Sequence, residues 1–165
     1  MQGMTRRERQ IFDADKIKEI FDKAKVLHLG MVDGAEPYVV PMNYGYVFRE
    51  DKPVIYLHCA RRGRKLDVLK VNNKVFFELE CDLVPFEGDV ACKYGISYSS
   101  VMGRGNAFIV EDVEEKKHAL SVIMKTQTGK DFYFDEKMVS VLSVIRIDVD
   151  EYTAKYRPSP DRKTF

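Results

Sequence analysis

The chain has few of the residues that would support a disulfide framework or a structural metal site. Its 165 residues include only three cysteines, Cys59, Cys81 and Cys92, and no C-x-x-C pair. The three histidines are scattered, and none is close in sequence to a cysteine in a zinc-binding pattern. Structural zinc sites usually need four clustered nitrogen or sulfur ligands. We therefore expect no metal site, and we interpret the cysteines as buried or half-buried packing side chains.

Net charge and long apolar runs are also missing. The formal net charge is +1, whereas dedicated nucleic-acid-binding proteins usually carry a larger basic excess. No apolar run has the length needed to cross a membrane. The first residues, MQGMTRRERQIF, are charged and lack the apolar centre of a signal peptide. The sequence therefore predicts a cytoplasmic protein with no membrane segment and no nucleic-acid partner.

The hydrophobic pattern predicts strands with a few helices between them. An i, i+3, i+4, i+7 stripe from Ile17 to Ala24 predicts a first helix, with Asp13 or Asp15 as its cap. A short helix is predicted at LDVLK, and a longer one over residues 113–126. The six predicted strands are VLHLGMV, YVVPMNYGYVF, VIYLH, KVFFELEC, SSVMGRGNAFIVED and residues 143–152. Residues 82–97 are interpreted as irregular because proline and glycine interrupt them.

This order of elements favours a mainly β protein with peripheral helices. Most strands are joined by hairpins and βαβ units are absent, which indicates a small antiparallel barrel, closed or partly split. We expect a single domain over residues 1–155 and a flexible tail over residues 156–165. Pro41 cannot donate to a ladder and predicts an edge, a bulge or a ligand-facing bend. Gly103 and Gly105 leave room either for a ligand or for tight curvature of the barrel.

The segment HCARRGRKLDVLK, residues 58–70, places four cations at a strand-to-helix junction. The first turn of a helix leaves backbone N–H groups unpaired and carries a positive partial charge. Gly63 allows a close approach to the backbone, and Arg64 and Lys65 add fixed charge at the same place. The residues alone allow three interpretations: a site for a terminal phosphate, a solvated basic turn and a nucleic-acid patch. It is not a Walker A loop, because the G-x-x-x-x-G-K-[ST] spacing is missing.

The order and spacing of four segments resemble those of the pyridoxamine 5′-phosphate oxidase-related flavoproteins. The segments are AKVLHLGMVDGAEPYVVPMNYGY, YLHCARRGRKLDVLK, KYGISYSSVMGRGNAFIVED and VIRIDVDEYTAK. Within that group the chain is most similar to the 5-nitroimidazole-resistance type. The resemblance covers roughly residues 5–155. It implies a six-stranded antiparallel split β-barrel that binds FMN, or FAD, at the interface of a homodimer.

The resemblance also implies roles for individual residues. Arg64 and Lys65 match the Arg-Lys phosphate clamp. The backbone from Val40 through Pro41 and Met42 to Asn43 matches the strand along the isoalloxazine ring. His58 and Cys59 match the end of the strand that leads to the clamp. Ser99, Ser100 and Val101 match the segment that reaches the flavin of the partner subunit. His58 is in addition a candidate for proton delivery to a substrate, against the alternative of a structural hydrogen bond.

The implied activity is flavin-dependent reduction of a small organic molecule, such as a nitroimidazole or another nitro or quinone-like compound. A reduced nicotinamide is a candidate electron donor. The true oxidases carry a tryptophan near the flavin and an arginine-containing C-terminal pattern, and this chain has no tryptophan and no equivalent of that pattern. Pyridoxamine oxidation is therefore not expected. Two alternatives stay open: a flavin-binding redox module without turnover, and a haem-binding barrel with His58 or His28 as axial ligand.

Overall fold

A computed structural model describes residues 5–160 of the chain as a strongly curved antiparallel sheet with helices around it. The eight strands are β1 Gln10–Ile11, β2 Leu27–Asp33, β3 Glu36–Met42, β4 Tyr44–Arg49, β5 Lys52–Ala60, β6 Lys74–Phe86, β7 Gly95–Val110 and β8 Leu142–Arg157. The four α-helices are α1 Ala14–Lys23, α2 Arg64–Val71, α3 Val113–Thr128 and α4 Glu136–Ser140.

The strand order shows how far the sheet must curl. The sheet runs β3-β2-β6-β7-β8-β5-β4, with β1 added beside β8, and all its pairs are antiparallel. The two edge strands, β3 and β4, are consecutive in sequence and are separated only by Asn43. One residue cannot span an open seven-strand path, so the sheet must curl until its two edges meet. The split-barrel fold class predicted from the sequence is confirmed.

The number and bounds of the strands differ from the prediction. The segment YVVPMNYGYVF is not one strand but two, because the chain changes edge at Asn43. Strand β6 continues beyond Cys81 to Phe86 after a register shift, and β7 begins at Gly95, so much of the segment interpreted as irregular is a paired ribbon. Helix α4 was not predicted. Strand β8 continues through Tyr156 and Arg157, and residues 161–165 of the expected tail lie outside the described residues.

Alternating side chains from the strands fill the barrel, and two helices close its ends. Leu27, Leu29, Phe77, Leu79, Ile145 and Ile147 are fully buried in one cluster with residues from α1 and α2. The N-cap prediction for α1 is confirmed, since the Asp13 side chain accepts from the backbone N–H groups of Asp15 and Lys16. At Gly103 the space beside the backbone is filled by the Phe77 ring and the carbonyl of Glu151. This glycine therefore serves curvature rather than a ligand.

The outer face of the sheet is covered on one half only. Helices α3 and α4 pack on β4, β5 and β8 through a second cluster that includes Val54, Tyr56 and Val144. A Cβ added to Gly45 would lie 2.5 Å from the backbone of Ile123, so α3 crosses β4 in direct contact. None of the helices in the described part of the chain combines the length and the apolar content that a membrane crossing requires. Among residues 5–160, no helix covers the outer face of β3, β2, β6 and the first half of β7, where Val39, Phe76 and Met102 are exposed.

Candidate functional site

The cationic segment lies where β5 ends and α2 begins. Gly63 is the N-cap of α2 with φ 148° and ψ 160°, a conformation that residues with a side chain rarely adopt. No atom lies within 4 Å of a Cβ added at Gly63, so backbone geometry rather than crowding requires glycine here. The start of α2 is open on this side. Leu66 and Asp67 donate their backbone N–H groups to the Gly63 carbonyl, which leaves the N–H groups of Arg64 and Lys65 without an acceptor inside the helix. An anion can approach this end of the helix.

Arg64 connects the helix start to the β2–β3 hairpin. Its Nε donates to Oδ2 of Asp33 at 2.7 Å, and its Cζ lies 4.4 Å from the centre of the Tyr38 ring. The side chain remains more than half exposed, so the ion pair with Asp33 is a surface pair of small energy. Asp67 also lines the cavity beside Arg64, which has a volume of about 550 Å³. Two carboxylates therefore share the cavity with Arg64, and an anion bound there must compete with Asp33.

Lys65 is directed towards β5. Burial raises the pKa of the Cys59 thiol, and the nearby charge of Lys65 partly opposes that effect. Cys59 is half-buried and packs against the same core cluster as Val40 of β3. The structure therefore brings Lys65 near Cys59 of β5, and Arg64 against Tyr38 of β3, the strand that also carries Val40.

The predicted ring-binding segment is an edge strand. Strand β3 pairs with β2 over its whole length, and within the described residues no strand pairs with its other edge. Pro41 is exposed on this edge, which confirms the edge interpretation of the proline. Met42 is buried in the core. The Asn43 side chain donates to the backbone oxygen of Lys25 at 3.0 Å, so it anchors the chain crossing between the two edges.

His58 is exposed near the end of β5, opposite Val144 of β8. Within the described residues its ring has no hydrogen bond or ion pair, so the alternative of a structural hydrogen bond has no partner there. Arg61 lies elsewhere, in a separate polar cavity of about 230 Å³ that it lines with Lys70 and Lys116. Arg61 and Arg64 of the cationic segment therefore line different cavities.

The three predicted residues of β7 do not share one face. Ser99 and Val101 are fully buried and point into the barrel, and no described residue is a hydrogen-bond partner of the Ser99 hydroxyl. Ser100 points to the outer face, where it lines a groove of about 610 Å³ with Tyr98 and Met102. Strands β2 and β6 separate β7 from β3. Within one chain, Ser100 is therefore remote from the edge strand that carries Val40.

Two tyrosines of β4, Tyr44 and Tyr46, have structural roles. The Tyr44 hydroxyl donates to the backbone oxygens of Phe21 at 2.7 Å and Ala24 at 3.2 Å. The Tyr46 hydroxyl donates to Asp22, and its ring stacks on Phe21 with centroids 4.7 Å apart. Both contacts fix α1 to β4.

Sequence reasoning missed a cluster on the outer face of β2 and β6. Nδ1 of His28 lies 3.2 Å from Oε2 of Glu78, and Glu80 is close to both. Burial raises the pKa of Glu78 to about 7, and Glu80 acts in the same direction while His28 opposes it. Strand alternation assigns each residue to a face, but only the β2–β6 register brings them together. The pairing of Arg64 with Asp33 was missed for the same reason.

Comparison with known proteins gives one family and several similar structures. The family model described as pyridoxamine 5′-phosphate oxidase matches residues 13–156. A candidate 5-nitroimidazole antibiotic resistance protein from Bacteroides thetaiotaomicron is 32% identical, with 89% of this chain and 86% of that chain covered and a TM-score of 0.75. No curated protein sequence gives a significant match.

Two more distant structures share the fold. The flavocytochrome Anf3 from Azotobacter vinelandii is 19% identical, with 96% of this chain and 73% of that chain covered and a TM-score of 0.76. A FAD and heme binding protein from Mycobacterium smegmatis is 12% identical, with 90% and 73% covered and a TM-score of 0.75.

Proposed function

The chain belongs to the pyridoxamine 5′-phosphate oxidase family, and from that premise we propose that it is a flavin-binding oxidoreductase. The observation that carries the proposal is the contact between the start of α2 and the edge strand β3, made by Arg64 over the Tyr38 ring at 4.4 Å. A terminal phosphate held at the start of α2 would therefore lie beside the free edge of β3. A flavin mononucleotide has the matching shape, with a phosphate at one end and a hydrogen-bonding ring edge at the other.

The hydrogen-bond donors at the start of α2 fit the phosphate of a flavin. Lys65, the open first turn of α2 and, after exchange of its Asp33 contact, Arg64 would hold the phosphate by charge-assisted hydrogen bonds. Backbone groups on the free edge of β3, around Val40 and Pro41, would meet the ring. When bound, the flavin supplies the redox chemistry, and the protein binds, orients and tunes it. This division explains why the described residues show no catalytic triad near α2.

We favour FMN over FAD because of the residues that line the cavity at Arg64. Among the residues that line the cavity at Arg64, that arginine is the one cation, which suits a single phosphate group better than two. His58, exposed one residue before Cys59, is the candidate for proton delivery to a substrate above the ring. The substrate class we propose is a small nitro or quinone-like compound. It is supported by the similarity to the candidate 5-nitroimidazole antibiotic resistance protein at 32% identity.

A homodimer completes the proposed site. The uncovered outer face exposes Val32, Val39, Phe76, Ile96 and Met102, an unusual apolar area for a monomer. A two-fold contact would cover the same patch on both subunits. It would also bring Ser100 of one chain towards the α2 start of the other, which a single chain cannot do. The family resemblance is the main support for this assembly.

The test is identification of the group that copurifies with the full chain. We expect a yellow preparation whose denatured supernatant contains FMN by chromatography, and single-turnover oxidation of the reduced protein by a nitroimidazole or a quinone. Colourless protein that takes up no added FMN or FAD would refute flavin binding. Bound flavin without any turnover would instead support the redox-module alternative, and a Soret band would indicate haem.

A further inference from the structure

Three side chains with metal-binding groups meet on the outer face of the sheet, where β2 pairs with β6. His28 lies directly opposite Glu78 in the register, and Glu80 follows on the same face of β6. Nδ1 of His28 is 3.2 Å from Oε2 of Glu78. One ligand atom of each residue lies within 4.8 Å of the other two. The three side chains are partly buried, so they form a defined cluster rather than freely moving surface groups.

We propose that His28, Glu78 and Glu80 bind a divalent cation of the zinc type. Zinc takes histidine nitrogen and carboxylate oxygen at about 2.0–2.2 Å, which places neighbouring ligand atoms about 3–3.6 Å apart. The atoms of His28 and Glu78 already have this spacing. The Glu80 ligand atom lies within 4.8 Å of the other two, and a side-chain rotation would have to bring it into the same range. Paired strands fix the three Cα positions, so the ligand set needs no rearrangement of the backbone.

The donor types select the class of metal. Imidazole is a common ligand for zinc, iron and nickel, whereas magnesium and calcium prefer sets made of oxygen alone. A set of one nitrogen and two carboxylates is therefore better suited to zinc or a similar transition metal. Three protein ligands leave one position of a tetrahedral ion for water. In the single chain, Glu78 and Glu80 line a groove of about 610 Å³ through which an ion can reach the cluster.

Charge balance supports the same assignment. Two carboxylates on one face of a strand repel each other, and partial burial strengthens that repulsion. Lys155 and Arg157 line the same groove, but each lies against an aromatic ring, of Tyr98 at 6.0 Å and of Phe86 at 5.1 Å. Within residues 5–160 neither cation forms an ion pair with Glu78 or Glu80. A bound divalent cation would neutralise the two carboxylates directly.

Such an ion would join β2 to β6 and would stabilise the folded chain by mass action. The three ligands are not among the residues proposed to bind flavin, but Ser100, on the face proposed for the dimer contact, lines the same groove. Zinc binding and flavin binding are measured by different signals, so the failure of one proposal is distinguishable from the failure of the other.

The test is zinc titration of the full chain by calorimetry after treatment with a chelator, with Co²⁺ as a spectroscopic substitute. We expect one ion per chain and a rise in melting temperature with zinc. His28→Gln and Glu80→Gln should each weaken zinc binding by more than about tenfold and abolish the rise. The matched controls are His118→Gln on α3 and Glu87→Gln after β6, which should bind zinc as the wild type does.

Several outcomes would overturn the assignment. These are absence of stoichiometric binding, equal affinity in the ligand and control variants, and a thiolate-to-cobalt charge-transfer band, which would locate the ion at a cysteine. The two ligand variants lie on different strands, and their folding is checked by circular dichroism in chelator. If one variant fails to fold, the other decides, and Glu78→Gln provides a third.

Discussion

Arg64 lies 4.4 Å above the Tyr38 ring while its Nε donates to Asp33 at 2.7 Å. One guanidinium thus contacts both strands of the β2–β3 hairpin and belongs to the first turn of α2. This arrangement fixes the helix start beside the edge strand, and it also occupies one cation of the predicted phosphate clamp. Substitution of the two clamp residues and substitution of Asp33 distinguish these two roles.

Removing the clamp should weaken flavin binding without unfolding the protein. We expect Arg64→Ala combined with Lys65→Ala to reduce affinity by about a hundredfold or more, because two charge-assisted hydrogen bonds are lost. Fluorescence titration with FMN measures this, and circular dichroism monitors the fold. The double variant Arg61→Ala, Arg62→Ala is the control, since Arg61 lines a different cavity. Equal affinities in the two double variants would show that the phosphate binds elsewhere.

Removing the competing carboxylate should strengthen flavin binding. Asp33→Asn releases Arg64 from its ion pair, and exposed pairs contribute about 0.2–1 kcal/mol. We therefore expect an FMN affinity up to about fivefold higher, with the largest effect at low salt. Asp67→Asn makes the same charge change in the same cavity, but its carboxylate pairs with Lys70 rather than Arg64. If Asp67→Asn strengthens binding as much as Asp33→Asn does, the effect is general electrostatics and not release of Arg64.

A charge on the uncovered face should break the proposed dimer. Phe76 is 42% exposed on the outer face of β6, and Phe76→Lys would place an ammonium group in the apolar contact. Light scattering over a dilution series should show a monomer, with flavin affinity reduced because the partner no longer completes the site. Tyr133→Lys, at a side chain 84% exposed beyond α3, should remain dimeric. A wild-type monomer that binds flavin tightly would contradict the shared site.

Two buried tyrosines should respond differently to loss of the hydroxyl group. Tyr44 and Tyr56 are both fully buried, but only the Tyr44 hydroxyl has acceptors, the backbone oxygens of Phe21 and Ala24. Within the described residues the Tyr56 hydroxyl has no hydrogen-bond partner. We expect Tyr44→Phe to lower the free energy of unfolding by about 1–3 kcal/mol and Tyr56→Phe to leave it unchanged or raise it. Urea denaturation of both variants measures the difference, and equal losses would refute the contrast.

The sequence by itself determined the local elements and the general class of fold. Helix α1 could be predicted from the sequence because its apolar stripe and its Asp13 cap lie within a few residues of each other. Strand alternation, the prolines of β3 and the hairpin turns likewise depend on near neighbours. The cationic segment was visible because Gly63, Arg64 and Lys65 are adjacent, and the order of segments along the chain identified the family.

Only the tertiary structure decided which of these features meet. The split of one predicted strand at Asn43 follows from curling of the sheet, to which every strand contributes. The partner of Arg64 is Asp33, 31 residues away, and that of His28 is Glu78, 50 residues away. Such contacts depend on register and on helix position, which side-chain periodicity does not encode. The same register directs Ser100 outwards while Ser99 and Val101 fill the core, because successive residues of a strand point to opposite faces.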